Sequence, residues 1–369
     1  MESKLRIMHG MSEVAGQNTY SVRGLREIGE NAETVIYHMH PFAYPYDKCL
    51  NINKENKKMF PFYACKLGAF FLAALHHYDC FHFHYGHSIL NGIELPLYKF
   101  FKKRVFFEFH GSDLRDEEAF CKVSGMPFNP NDATDPRLHI RNQKICRIAD
   151  GIIVHDDELV PYLPKICAPV YVVPLRVDIS KYETYYPDPY ASKIRIVHAP
   201  SKRTVKGTAF VLDAYSKLHE KYDNIELVLV EGKTQSEAYE IYKTADIIVD
   251  QLYVGTYGVF AIESMAMGKP VIAYISDDMK EKLPEELPII NGNIHTIEKV
   301  IEVLILDGKM RREKGVEGRK YVENYHNYKN VAWILRDIYY NNSQPMSGRD
   351  AFAQVKKIRQ ENEKGQCQK

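Results

Sequence analysis

Short apolar runs alternate with helix-length amphipathic segments along almost the whole chain, and this alternation most constrains the fold. The runs are LRIM (5–8), ETVIYHM (33–39), CFHFHY (80–85), VFFEFH (105–110), GIIVH (151–155) and VYVVP (170–174). After a Tyr-, Asp- and Pro-bearing stretch from Arg176 to Ser192 the pattern restarts with IRIVHAP (194–200), IELVLVE (225–231), DIIVDQ (246–251) and PVIAYI (270–275). Helical segments lie between them, among them 18–28, 60–75, 139–149, 208–221, 237–244, 261–267, 297–306, 309–325 and 328–341. Strand–helix alternation predicts parallel βαβ units and an α/β fold class. At 369 residues the chain is too long for one ordinary core, so the interruption reads as a boundary between two domains.

The expected division is 1–178, a linker 179–192, a second domain 193–325, a crossover helix 326–342 and a charged tail 343–369, read as solvated helix or frayed chain. Net charge is +1, which gives no broad field for nucleic acid. The seven Cys show no C-x-x-C spacing, so a reducing compartment is expected and neither a disulfide framework nor a zinc site. The opening MESKLRIMHG has no signal-peptide core, and the apolar stretch 60–75 is shorter than a membrane span.

In parallel sheets ligands bind at the carboxyl ends of strands, and four strand-end loops carry polar chemistry. The first strand ends in a loop with Gly10 and Gly16 before a helix, where backbone N–H groups can meet a phosphate. No G-x-G-x-x-G is present there, which argues against a nicotinamide enzyme. His110 ends a strand and opens the cluster HGSDLR (110–115). The loop HAPSKRTVKG (198–207) brings Ser201, Lys202, Arg203 and Lys206 to a strand end before another helix, favouring phosphate. In GTYGVFAIES (255–264) a glycine-bearing loop (Gly255, Thr256, Tyr257, Gly258) precedes a helix from about Val259. Glu263 sits one turn in among apolar residues, where a carboxylate needs hydrogen-bond donors such as ribose hydroxyls.

Together, Lys206-Gly207 and the run from Gly258 through Glu263 to Pro270-Val271 resemble the large retaining glycosyltransferase family of the GT-B fold (glycosyltransferase family 4-like) that includes bacterial mannosyltransferases and sucrose synthase. That resemblance implies two Rossmann-like domains facing across a cleft, with a C-terminal helix crossing back to the first. It implies sugar transfer from a UDP- or GDP-linked donor, with no cofactor and no metal, to a saccharide or lipid-linked acceptor in bacterial surface polysaccharide or glycoconjugate synthesis. By the same resemblance Glu263 binds the donor ribose and the backbone of Tyr257, Gly258 and Val259 holds the diphosphate or sugar. Lys206 neutralises the leaving group, Gly16 is the close-approach glycine, and His110 sits beside the sugar. The pattern departs in three places. Gly255 stands where a first glutamate is usual. The usual phosphate-loop arginine falls near Pro200 or Ser201, with Arg203 or Lys202 a few residues away. The segment between Val230 and Ala245 is short. The alternative is a catalytically silent GT-B subunit that binds nucleotide and supports a partner enzyme. A cytoplasmic location is expected. Cations and aromatics at 99–109 with the apolar 60–75 stretch suggest contact with an anionic membrane at its inner face; an ordinary basic helix end before a buried strand is the other reading.

Overall fold

The computed structural model describes residues 4–53 and 56–366. The backbone divides into two units, one of 1–119, 129–176 and 328–369, the other of 120–128 and 177–327.

The first unit opens with β1 (Arg6–Met11), α1 (Gln17–Glu27), β2 (Asn31–Ile36), β3 (Lys48–Cys49), α2 (Phe60–His77) and β4 (Cys80–His84). It continues through α3 (Leu95–Phe100), β5 (Arg104–Phe109), α4 (Glu117–Ser124), whose end belongs to the other unit, α5 (Pro136–Ile148), β6 (Gly151–Val154) and β7 (Val170–Val172). The seven strands are parallel in the order β3-β2-β1-β4-β5-β6-β7, a Rossmann-like sheet. One face, with Met8, Phe81, Phe83, Phe107 and Ile152, packs with Phe71 of α2 and Ile145 of α5.

The second unit holds β8 (Ile194–His198), α6 (Arg203–Lys206), α7 (Thr208–His219), β9 (Ile225–Leu229), α8 (Gln235–Lys243), β10 (Ile247–Val249) and α9 (Val259–Ala266). It ends with β11 (Val271–Ala273), α10 (Asp277–Lys282), β12 (Ile290–Asn291), α11 (Ile297–Leu306) and α12 (Gly308–Tyr325). Its sheet is parallel, in the order β12-β11-β10-β8-β9. Between β9 and β10 there is only α8, opened by a capping box of Thr234 and Glu237.

The chain then returns to the first unit as α13 (Tyr328–Tyr339) and α14 (Gly348–Gln366). Val331, Ile334, Leu335 and Ile338 of α13 are fully buried with Ile7, Val22, Cys80, Phe106 and Ile153. Each such side chain contributes about 1.5–3 kcal/mol. The α1–α13 contact is close because residue 24 is glycine: a Cβ there would lie 2.7 Å from the Tyr328 carbonyl oxygen and 2.8 Å from the Ala332 Cβ. Of the two expectations for the 343–369 tail, the stretch Gly348–Gln366 is a helix, largely exposed but with Ala351, Phe352 and Val355 buried. Its high density of Lys, Glu and Gln hid that narrow apolar face. Cys367 lies outside the described residues; the described cysteines are free.

Candidate functional site

All strands within each sheet are parallel, so their carboxyl ends share one edge, and both candidate sites lie on such edges.

In the second unit β10 ends at Val249 and is followed by buried Asp250 and Gln251. Lys206, at the end of α6, donates to Asp250 Oδ1 at 2.5 Å and to Gln251 Oε1 at 3.0 Å. Gln251 Nε2 in turn donates to the Thr256 carbonyl at 2.5 Å. One chain of hydrogen bonds thus ties the cation to the loop before α9. Gly207 follows in the left-handed region (φ 72°), ending α6 and starting α7. His198 is held by the Val249 carbonyl and by Thr208 Oγ1, each at 2.9 Å.

The helix α9 starts after Gly258, which has no side chain to cap it. Its first N–H groups and positive dipole end therefore offer an anion site. Val259 is the first helical residue, and Glu263 lies one turn in, half-buried, with Oε1 accepting from the Tyr182 hydroxyl at 2.7 Å. Burial pushes the Glu263 carboxyl up from its ordinary range, against the lowering effect of the Tyr182 hydrogen bond and of Lys181. Tyr257 turns inward: its hydroxyl meets Tyr321 Oη at 2.8 Å and His326 Nε2 at 3.1 Å, so its side chain anchors the loop and leaves only its backbone to a ligand.

Gly255 has a steric reason. A Cβ there would lie 2.7 Å from the Ser276 Cβ and 2.8 Å from its Oγ. The Gly255 carbonyl also accepts from the Ser276 amide at 3.0 Å, which fixes the two backbones together. An acidic side chain at 255 needs this neighbour to move. Gly255→Glu is expected to cost about 1–3 kcal/mol, the scale of overpacking, and Gly255→Glu with Ser276→Gly to recover most of it. Denaturant unfolding of both variants checks this, and equal losses would contradict the steric account.

The remaining sequence-predicted residues of this unit sit apart from that chain. Ser201 is exposed in the turn after β8. Arg203 is exposed and pairs with Glu231 through Nε at 2.7 Å.

In the first unit Gly16 adopts φ 81° ahead of α1, and a Cβ there would meet the Tyr20 ring at 2.6 Å. Glu13 takes the helix start: its carboxylate accepts from the amides of Asn18 (3.3 Å) and Thr19 (3.0 Å). Burial nonetheless pushes Glu13 up, against these bonds.

His110 belongs to a larger assembly. Because side chains alternate along a strand, His9, His82, His84, Glu108 and His110 all face the same side of the sheet, with His82 in register with His9 and His84 with Glu108. His9, His82, His84 and Glu108 are wholly buried, as is Arg176, whose guanidinium donates to Glu108 Oε1 at 2.6 Å. Gln17 grips the Arg176 backbone twice, accepting from its amide at 2.9 Å and donating to its carbonyl at 3.0 Å. Burial alone would raise the Glu108 carboxyl; Arg176 and the surrounding imidazoles hold it well below its usual range. Burial pushes all four imidazoles down, His110 to about 3, so each is neutral at pH 7.

The HGSDLR cluster is a folded turn. Asp113 Oδ1 accepts from the amides of His110 (2.9 Å) and Gly111 (2.8 Å), while Arg115 pairs with Glu158 at 2.9 Å. Burial raises the Asp113 carboxyl from 3.8 to about 6, offset in part by these amides. A raised folded-state value means that the neutral form is favoured on folding. That stabilisation is complete below about pH 3.8 and is lost as pH rises through about 6. Relative to Asp113→Asn, the native chain is therefore expected to lose about 2–2.5 kcal/mol between pH 4 and pH 7.5, from 1.36 kcal/mol per unit. Paired thermal unfolding at the two values measures it; a difference independent of pH would refute it.

Several of these residues carry no motif in the sequence. Asp250 and Gln251 end the DIIVDQ run without a motif of their own, while Tyr182, Arg176 and Tyr339, whose hydroxyl meets His9 and His82, reach the sites from distant segments. The one available signal for the histidines was the repeated Phe/polar alternation in FHFH and FEFH. Two triples among the described residues, His9/His82/His84 and His84/Glu108/His110, are also close enough to hold a cation.

No protein-family model matches the sequence, and no curated protein matches it. Solved structures do. A sucrose-phosphate synthase from Thermosynechococcus elongatus superposes at TM-score 0.65 with 17% identity, covering 91% of this chain and 98% of its own. Anabaena HepE, solved with UDP and glucose, gives 0.61 at 12% identity over 90% of this chain and 98% of its own. A putative UDP-N-acetylglucosamine 2-epimerase from Listeria monocytogenes gives 0.57 at 14% identity over 94% and 99%. These likenesses establish the GT-B fold with two Rossmann-like domains.

Proposed function

We propose that the protein is a retaining, metal-independent glycosyltransferase that moves a sugar from a UDP- or GDP-linked donor to a saccharide or lipid-linked acceptor. The observation that carries this reading is the hydrogen-bonded chain from Lys206 through Gln251 to Thr256, which ties a cation to the loop leading into the uncapped α9, with Glu263 one turn inside that helix. A fixed cation and a helix N-terminus stabilise a departing diphosphate without a metal. Glu263, already accepting one hydroxyl hydrogen bond from Tyr182, offers its second oxygen to a ribose hydroxyl. In the first unit His110 takes the place beside the transferred sugar.

The resemblance to UDP-bound HepE supports nucleotide-sugar binding. The epimerase-like neighbour supports a second reading, interconversion of a nucleotide N-acetylhexosamine. Calorimetric titration with UDP and GDP, followed by assays of donor hydrolysis, transfer and epimerisation, separates these. Binding with transfer supports the proposal, binding with epimer formation the second reading, and binding without either the silent-subunit alternative; no binding of either nucleotide would refute all three.

The role proposed in surface polysaccharide or glycoconjugate synthesis includes peripheral contact with an anionic membrane at its inner, cytoplasmic face. No helix among the described residues is long and apolar enough to cross a membrane. Phe60, Phe62 and Leu72 of α2 and Phe100 of α3 are exposed, with Lys99 and Lys102 next to the last. Failure to sediment with anionic vesicles at low salt would exclude the contact.

A further inference from the structure

On the inner face of the first sheet one hydrogen-bonded chain runs from His110 to His82 and ends against Glu108. His110 Nε2 lies 3.1 Å from His84 Nδ1, and His84 Nε2 lies 3.2 Å from His9 Nδ1. His9 Nε2 is 3.0 Å from the Tyr339 hydroxyl, which also bonds His82 Nδ1. His82 Nε2 then lies 3.3 Å from Glu108 Oε2, an electrostatic contact; neither of these two atoms makes a hydrogen bond.

A neutral imidazole has one N–H and one bare nitrogen, so the proton position in any link dictates the next. Only two arrangements satisfy every hydrogen bond from His82 to His110. Glu108, ionised beside Arg176, can only accept. With the proton of His82 on Nε2 facing Glu108, His82 Nδ1 accepts from Tyr339, and the Tyr339 oxygen accepts from His9 Nε2–H. His9 Nδ1 accepts from His84 Nε2–H, and His84 Nδ1 accepts from His110 Nε2–H. The reversed arrangement turns the lone pair of His82 Nε2 onto a carboxylate at 3.3 Å. The only recompense would be His84 Nδ1–H, which lies 3.8 Å from the same oxygen, beyond hydrogen-bond reach. The first arrangement wins.

We propose that Glu108 is a positioning residue acting through His82, Tyr339, His9 and His84, and that the chain holds His110 in its Nε2–H form. His110 Nδ1, for which the described residues supply no hydrogen bond, is then a fixed acceptor for a ligand hydroxyl. That the hydroxyl belongs to the donor sugar rests on the glycosyltransferase reading; the tautomer does not. The same order explains why the cluster is not a vacant cation site. Every inner bare nitrogen already accepts a hydrogen bond, and the Arg176 guanidinium, 2.6 Å from Glu108, opposes a second positive charge.

The test is a proton–nitrogen correlation spectrum of the imidazoles in nitrogen-15 histidine-labelled protein at pH 7, with no nucleotide present. His9, His82, His84 and His110 are expected as neutral rings protonated on Nε2, assigned by loss of each signal in single His→Gln variants. Tyr339→Phe removes the acceptor of His9 Nε2–H. Burying an N–H without a partner costs more than burying a bare nitrogen, so His9, His84 and His110 are expected to switch together to Nδ1–H while His82 keeps Nε2–H. That is a complete reversal at three rings, away from the form free imidazole prefers. Nδ1–H at His110 in the native protein would overturn the proposal, as would an unchanged His110 in folded Tyr339→Phe. The native spectrum decides even if the variant does not fold. Because no donor is needed, failure of sugar transfer and failure of the tautomer assignment are read separately.

Discussion

Arg176→Met is expected to lower the unfolding free energy of the first unit by about 3–5 kcal/mol, the cost of leaving one partner of a buried ion pair unpaired. Both Arg176 and Glu108 are fully buried, with 2.6 Å between donor and acceptor, so no water can take over the lost charge interaction. Methionine fills most of the aliphatic volume, so the loss reports the charge and not a cavity. Adding Glu108→Gln should return most of the stability, because the neutral amide oxygen can still accept from His82. Denaturant unfolding followed by circular dichroism measures both, with the two units fitted as separate transitions. A single variant costing under about 1 kcal/mol, or a double variant no better than the single, would show that this pair does not carry the unit.

On the sugar transfer proposed above, Lys206→Ala is expected to reduce turnover by about 10²–10³-fold, the effect of removing one preorganised group that stabilises developing charge. Donor KM should change far less, because the charge on the leaving group grows only as the bond breaks. The substitution also strands the buried carboxylate of Asp250, which lies 2.5 Å from Nζ. Some lost activity could therefore come from a weakened fold. Lys206→Ala with Asp250→Asn separates the two: it should restore the unfolding midpoint and leave turnover low. Recovery of turnover with stability would assign Lys206 a purely structural role.

The alternation of short apolar runs was enough to read two parallel α/β units, because strands covered on both faces must be apolar nearly throughout. The Lys206 loop and the Gly258–Glu263 turn were legible for a similar reason, since each is a local strand–loop–helix whose chemistry is contiguous in sequence. The histidine chain was not. FHFH and FEFH were legible only as two of the strand-forming runs; that their histidines and glutamate share one face, covered by α1 and α13 and joined to one another, needed the register of the sheet. Its two anchors, Arg176 and Tyr339, come from segments 68 and 257 residues away from the groups they bind. No local pattern encodes such pairings. The absence of an acid at 255 was visible, but its cause, the packing of Ser276 against the loop, needed the fold.

The return of α13 to the first unit has a consequence for synthesis. The sheet formed by residues before Arg176 lacks the α13 part of its cover over Ile7, Phe106 and Ile153 until Tyr339 has been made, and Tyr339 is also a link of the histidine chain. The whole of 177–327 is translated in the interval. At about 5–20 residues per second this leaves the half-built sheet waiting roughly 8–30 s with an apolar face open on the ribosome. The second unit, whose long stretch is contiguous, can finish first, so the domain that begins the chain is the last to close.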